Sequence, residues 1–136
     1  MGGELFWDTS GFFALLNNDD LMHVRARELA AKTGGSARAI TSDGVVAETC
    51  TLLIARGKPH LVERFLDFTE EHRSLEVVLA GGNLFEKTKH FMRRHLDQAY
   101  SFTDCSSFII VAERRILEAA TTDAHFTEAG FVALLR

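Results

Sequence analysis

Cysteine is scarce in this chain: 136 residues contain only Cys50 and Cys105. Two thiols do not make a disulfide framework, and neither has a His or second Cys at zinc-ligand spacing. Each sits in an apolar helical stretch, where a free thiol behaves as a small hydrophobe. Aromatic content is lopsided, with one Trp and one Tyr against eleven Phe, so an aromatic core has to be built from phenylalanine. No apolar run approaches the ~20 residues that cross a bilayer. Met1-Gly2-Gly3-Glu4 puts no basic segment ahead of its short apolar stretch, so no secretory signal is expected. The expectation is a soluble, cytoplasmic chain with no membrane role. Positive charge is also in deficit. A net charge of −4 has the wrong sign for gripping nucleic acid by bulk electrostatics. Carboxylates that hold divalent cations escape this objection, because the cations neutralise them.

What is present points to one domain covering 1–136. With 46% hydrophobic residues the chain can bury a core without staples. No internal repeat, linker or low-complexity segment breaks it. Short β-like runs alternate with longer helical patterns, the signature of parallel α/β architecture. Strands are expected at residues 4–8, 39–41, 75–79 and 119–122, with a further edge strand at 131–135. A short helix over 12–16 should stop at the turn-forming cluster Asn17-Asn18-Asp19-Asp20. Asp19 or Asp20 can cap a second helix that carries Leu21, Val24, Leu29 and Ala30, with Gly34-Gly35 as its stop. A largely apolar helix over 44–56 and another from Pro59 to about residue 71 form an αα-hairpin, Pro being tolerated at the first helical position. In the second of these, Leu61, Phe65 and Phe68 turn inward. Asn83 with Glu86 reads as a capping box for a helix running to about residue 98. Ser101 with Asp104 repeats that signal before the apolar stretch 108–112.

In open parallel sheets, ligands bind outside the carboxyl ends of the strands, where strand order reverses. Asp8 and Asp123 both end strands, although an Asp there also serves as an ordinary helix N-cap. Glu48 borders a wide apolar stripe that includes Val45, Leu52 and Leu53, where a carboxylate is costly to bury without a cation. Snorkelling to solvent, or pairing with Arg56, is the alternative. Asp104 opens the most apolar helix, and a capping role there is compatible with facing a cleft. The set carries more weight than any member. Two carboxylates ~4 Å apart repel by about 4 kcal/mol at an effective dielectric of ~20, so a converged group needs protons or divalent cations. Hard cations such as Mg²⁺ and Mn²⁺ favour oxygen ligands and bridge to phosphate, so an oxygen-only site points to phosphoryl chemistry.

These residues also carry a family resemblance. Phe6-Trp7-Asp8-Thr9-Ser10-Gly11-Phe12-Phe13 resembles the opening motif of PIN domains. Val46-Ala47-Glu48 followed by Thr49 to Leu53 is similar to their glutamate-bearing second motif. Ser101-Phe102-Thr103-Asp104-Cys105-Ser106-Ser107-Phe108 is similar to the third, and Thr121-Thr122-Asp123-Ala124-His125-Phe126 with Ala129-Gly130-Phe131 to the closing one. The motifs span nearly the whole chain, the last two are the most specific, and no acidic position departs from the pattern. Among PIN domains the chain most resembles VapC-like toxins of toxin–antitoxin pairs. The resemblance implies a three-layer α/β/α sandwich with a parallel sheet of four or five strands. It implies a Mg²⁺- or Mn²⁺-dependent endoribonuclease, a homodimer, RNA as substrate and a cognate antitoxin as partner. Carried over position by position, Asp8, Glu48, Asp104 and Asp123 become the catalytic metal ligands, and Ser10 the supporting hydroxyl. Activated water would attack the phosphodiester in line, leaving a 5′-phosphate and a 3′-hydroxyl.

His125 belongs to the closing motif and is read first as a ring that hydrogen-bonds its loop. Lys87, Lys89, His90, Arg93, Arg94 and His95 make a basic helix face, read first as solvated, with Arg93 or Arg94 as candidate RNA contacts. Phe12, Phe13, Leu16, Leu21 and Met22 exceed what a core needs and fit a groove for an amphipathic antitoxin segment. Two rival functions stand beside the nuclease. A haloacid-dehalogenase-type phosphatase would need a second Asp where Ser10 stands. A catalytically silent PIN-like scaffold for RNA or protein would not need four intact acids.

Overall fold

The computed structural model describes residues 3–32 and 37–136. The Gly34-Gly35 stop expected after the second helix lies outside the described residues. Five strands form one parallel sheet in the order β3-β2-β1-β4-β5. They are β1 (Gly3–Trp7), β2 (Ala37–Ser42), β3 (Leu75–Val78), β4 (Glu118–Ala120) and β5 (Val132–Ala133). Seven helices flank the sheet among the described residues, completing a three-layer α/β/α sandwich. They are α1 (Thr9–Leu16), α2 (His23–Ala31), α3 (Asp43–Ala55), α4 (His60–Glu71), α5 (Gly82–Arg93), α6 (Phe102–Glu113) and α7 (Ala124–Glu128). A 3-10 turn, Leu96–Gln98, follows α5. No helix among the described residues is long and apolar enough to cross a membrane.

The middle strand β1 is apolar and buried along Leu5, Phe6 and Trp7, as a strand covered on both faces must be. Phenylalanine fills the layers around it. Phe12 stacks on Trp7 with centroids 5.4 Å apart and tilts against Phe65 at 4.9 Å, while Phe126 packs between Phe6 and Phe108. The chain runs outward from β1 through β2 to β3, then crosses back to place β4 on the other side of β1. The reversal of direction therefore lies between β1 and β4, the place where such sheets open a crevice. Gly11 closes this seam. A Cβ built there would sit 2.1 Å from the Ala120 carbonyl oxygen, so only glycine lets the first turn of α1 lie against the end of β4.

Several local expectations are corrected. The helix expected from Asn83 begins earlier, with Gly81 as N-cap and no side-chain cap bond. Gly82 adopts a positive φ of 47°, which swings the chain into the helix before Asn83, and Glu86 pairs with Lys89 instead. That helix ends at Arg93 rather than near residue 98, and Ala99 then turns left-handed with φ 58°. Pro59 is an N-cap rather than the first helical residue. Neither Asp19 nor Asp20 caps α2, which starts after Met22; the Asp20 carboxylate accepts from the Met22 amide at 2.8 Å in the preceding turn. The short α7 was not foreseen.

Candidate active site at the carboxyl edge of the sheet

Asp8 follows β1 and occupies the N-cap position of α1, yet its side chain makes no cap bond. The ordinary capping role thus fails for this residue. Its carboxylate instead accepts from the Thr121 hydroxyl at 2.9 Å, across the seam between β1 and β4. Thr121 also lies 3.0 Å from the Ser10 hydroxyl and accepts from the Asp123 amide at 3.0 Å, while Ser10 Oγ accepts from the Thr122 amide at 2.9 Å. Four residues from two chain segments lock Asp8 in place. Asp8 is only 5% exposed. Burial pushes its carboxyl up to about 7, and the nearby Asp104 and Asp123 push the same way, against hydrogen bonds from the Thr9 backbone and Thr121.

Asp104 reaches the same place from α6. Ser101 and Asp104 form the expected capping box, with Ser101 Oγ accepting from the Asp104 amide and Asp104 Oδ2 accepting from the Ser101 amide, both at 3.0 Å. Asp123 caps α7 by accepting from the His125 amide through Oδ1 at 2.9 Å. Among the described residues, Oδ1 of Asp104 and Oδ2 of Asp123 accept no hydrogen bond. Each acid therefore spends one oxygen on local structure and keeps the other. His125 places Nδ1 3.3 Å from Asp104 Oδ2 and 3.5 Å from Asp123 Oδ1, with the Tyr100 ring edge-on to it at 5.2 Å. One ligand atom from each of Asp104, Asp123 and His125 lies within 4.8 Å of the others.

A model of the PIN domain matches residues 5–132. The chain belongs to the PIN-domain family. Among its relatives is the 23S rRNA-specific endonuclease VapC20 of Mycobacterium tuberculosis, 34% identical over 129 residues and spanning 94% of this chain and 95% of that protein. A crystal structure of M. tuberculosis VapC20, described as a sarcin-ricin loop cleaving toxin, superposes with a TM-score of 0.83 at 30% identity. The alignment covers 94% of this chain and 96% of that one.

Within this PIN domain, then, Asp8, Asp104 and Asp123 form one electrostatic group. Glu48 reaches the residue that follows Asp8. It is half-buried on α3, accepts from the Thr9 hydroxyl at 3.4 Å, and faces a shallow depression with Ala47 and Leu52. Its expected alternative partner, Arg56, lies over the Phe13 ring at 5.6 Å instead. Carboxylate oxygens with one imidazole nitrogen at their edge suit a hard divalent ion, and the unspent oxygens of Asp104 and Asp123 leave room for one. The His125 ring meets two of the acids, Asp104 and Asp123. Sequence reasoning missed Thr121 as the hydroxyl that binds Asp8. Its place two residues before Asp123, at a strand end, was the available signal.

Elsewhere, Lys87 pairs with Glu113 and Lys89 with Glu86, while Arg93 and Arg94 are exposed with no carboxylate partner among the described residues. Phe12 and Leu16 line a cleft of ≈ 410 Å³ between α1, α2 and α4, with Phe65, Phe68, Arg27 and Arg64. Leu21, 99% exposed, stands outside this cleft, and Phe13 is buried.

Proposed function

We propose that this single PIN domain is a Mg²⁺- or Mn²⁺-dependent endoribonuclease, the intracellular toxin of a toxin–antitoxin pair. One observation carries the reading: Asp8, Asp104 and Asp123, from three separate motifs, converge at the strand-order reversal with two oxygens left over. The kinship with a 23S rRNA-specific endonuclease supports ribosomal RNA as the first substrate to test.

In this reading Asp8, Glu48, Asp104 and Asp123 hold the metal, and Ser10 supports them. When bound, a divalent ion supplies Lewis-acid polarisation of the phosphodiester and a water of lowered pKa. The chain's own residues do the positioning. Thr121 and Ser10 hold Asp8 in register with β4, and the capping box holds Asp104 at the mouth of α6. Together the three acids raise the local field that attracts cations. Arg93 and Arg94 are candidate phosphate contacts. The cleft between α1, α2 and α4 sets the rings of Phe12, Phe65 and Phe68 beside Asn18, His23, Arg27 and Arg64, a mixed surface suited to an amphipathic antitoxin segment. A homodimer completes the proposal, to be checked by light scattering.

The test is cleavage of a 23S rRNA fragment by rigorously purified protein with Mg²⁺ or Mn²⁺. The expected result is activity that EDTA and Asp8→Asn each abolish. Cleavage that survives Asp8→Asn unchanged points to a contaminant, and absence of cleavage favours a scaffold.

A further inference from the structure

Phenylalanine is used here as a core residue, with two exceptions. Phe85 and Phe102, 44% and 37% exposed, are the only exposed large aromatic side chains among the described residues. Their rings lie 5.7 Å apart at 54°. The two come from separate elements: Phe85 from the first turn of α5, Phe102 from the first residue of α6. Both helices begin at the carboxyl edge of the parallel sheet, the edge that carries the acids. Phe102 shares the first turn of α6 with Asp104, and a Cβ at Gly44, where α3 starts, would meet Thr103 Oγ1 at 3.3 Å. The pair therefore stands at the same edge of the sheet as the acid group.

Positive charge is arranged around the same pair. Lys89 Nζ lies 4.8 Å over the Phe85 ring while also pairing with Glu86 at 3.0 Å. Arg93 follows four residues on, exposed. Phe85, Lys89 and Arg93 recur at i, i+4 and i+8 and climb one flank of α5. Leu84, Thr88 and Phe91 turn the other flank inward, with Phe91 6.3 Å from Phe108. In a chain of net charge −4, attraction for a polyanion has to be local. Exposed rings interleaved with cations are what an unpaired nucleotide needs, since each base presents a π-face and each linkage a phosphate.

We propose that Phe85 and Phe102 form a stacking platform for an unpaired RNA base at the sheet edge that carries the acids, with Lys89 and Arg93 taking the adjoining phosphates. This rests on the endoribonuclease reading above. The two rings are positioning residues. They hold the strand so that the neighbouring phosphodiester meets the carboxylates, and they take no part in bond cleavage.

The experiment measures steady-state cleavage of a 23S rRNA fragment containing the sarcin–ricin loop by the parent, by Phe85→Leu/Phe102→Leu and by Phe102→Trp. The double variant should raise KM about 10-fold and leave kcat within about twofold. Phe102→Trp should keep the parental KM. Because Trp7 is buried at 2% exposure, the new indole dominates solvent-sensitive emission, and a single-stranded RNA oligonucleotide should quench it. An active parent with unchanged KM in the double variant overturns the platform while leaving the nuclease reading intact. A parent that cleaves nothing overturns both. Should the double variant fail to melt cooperatively, Phe102→Trp decides alone, and indole emission indifferent to RNA overturns the platform.

Discussion

The two edges of the central sheet treat carboxylates in opposite ways. At the amino edge, Glu4 in β1 and Glu76 in β3 are gathered by Arg114, the C-cap of α6, with Arg38 also on Glu76 at 3.4 Å. Arg114 holds the Glu76 carboxyl below its ordinary range, and Glu76 in turn raises the Arg114 guanidinium. At the carboxyl edge, Asp8, Asp104 and Asp123 converge, and no Lys or Arg pairs with them among the described residues. There Asp8 is pushed the other way, to about 7. Charge of the same sign is thus compensated at one edge and left standing at the other. A buried charge is costly unless it is neutralised. The amino edge supplies its own cations, whereas the carboxyl edge offers its acids only the His125 ring.

The contrast can be broken most strongly by pH. Without metal, the folded chain binds a proton at Asp8 that the unfolded chain has already lost between about pH 4 and 7. Stability should therefore fall as pH rises through that window and level off above it. At about 1.4 kcal/mol per unit, a carboxyl moved from 3.8 to about 7 accounts for a loss of order 4 kcal/mol. Urea melts in EDTA at pH 4.5 and pH 8 measure it, and Asp8→Asn should flatten the difference. An equal slope in the variant assigns the effect to other groups.

Next in size is the seam that holds Asp8. Gly11→Ala drives a methyl into the Ala120 carbonyl, and the expected loss is at or above about 3 kcal/mol, read from chemical denaturation. A variant as stable as the parent means that α1 does not lie this close to β4. Asp104→Asn keeps the shape of the capping residue while removing charge, so it should cost at least about 10²-fold in RNA cleavage with little change in helix stability. A variant unfolded at 25 °C makes Asp104 a structural cap first and a ligand second. The smallest effect belongs to the amino edge. Arg114→Met leaves Glu4 and Glu76 without their main partner, and because these side chains are about one-third exposed, the loss should be about 1 kcal/mol. It should vanish as the pH falls below the ordinary carboxylate range, and cleavage should be unchanged.

The sequence showed which ends of which elements carry acids, because a strand period followed by Asp, or a Ser three residues before Asp, is a local pattern. It therefore foretold the parallel sheet, the strand that leads into Asp8 and the capping box of Asp104, whereas β4 stops at Ala120, three residues short of Asp123. It could not show which oxygen of each acid is spent locally, since rotamers depend on neighbours remote in sequence. Thr121 and His125 illustrate this. Both lie within the closing motif, yet their partners Asp8 and Asp104 are 113 and 21 residues away. Starts governed by glycine were misjudged for a related reason. The positive φ of Gly82 is a backbone choice that leaves no side-chain signal, so Asn83 looked like the cap. Glu48 was legible as an acid on an apolar helix, but its contact with the Thr9 hydroxyl was not.

The most direct measurement is the melting temperature of the parent, Asp8→Asn and Asp104→Asn at pH 8, in EDTA and then with Mg²⁺ or Mn²⁺. The account predicts that in EDTA both variants melt above the parent, because one of three crowded charges is gone. It predicts that the added ion lifts the parent by several degrees and the variants far less. A parent whose melting is indifferent to both ions contradicts it.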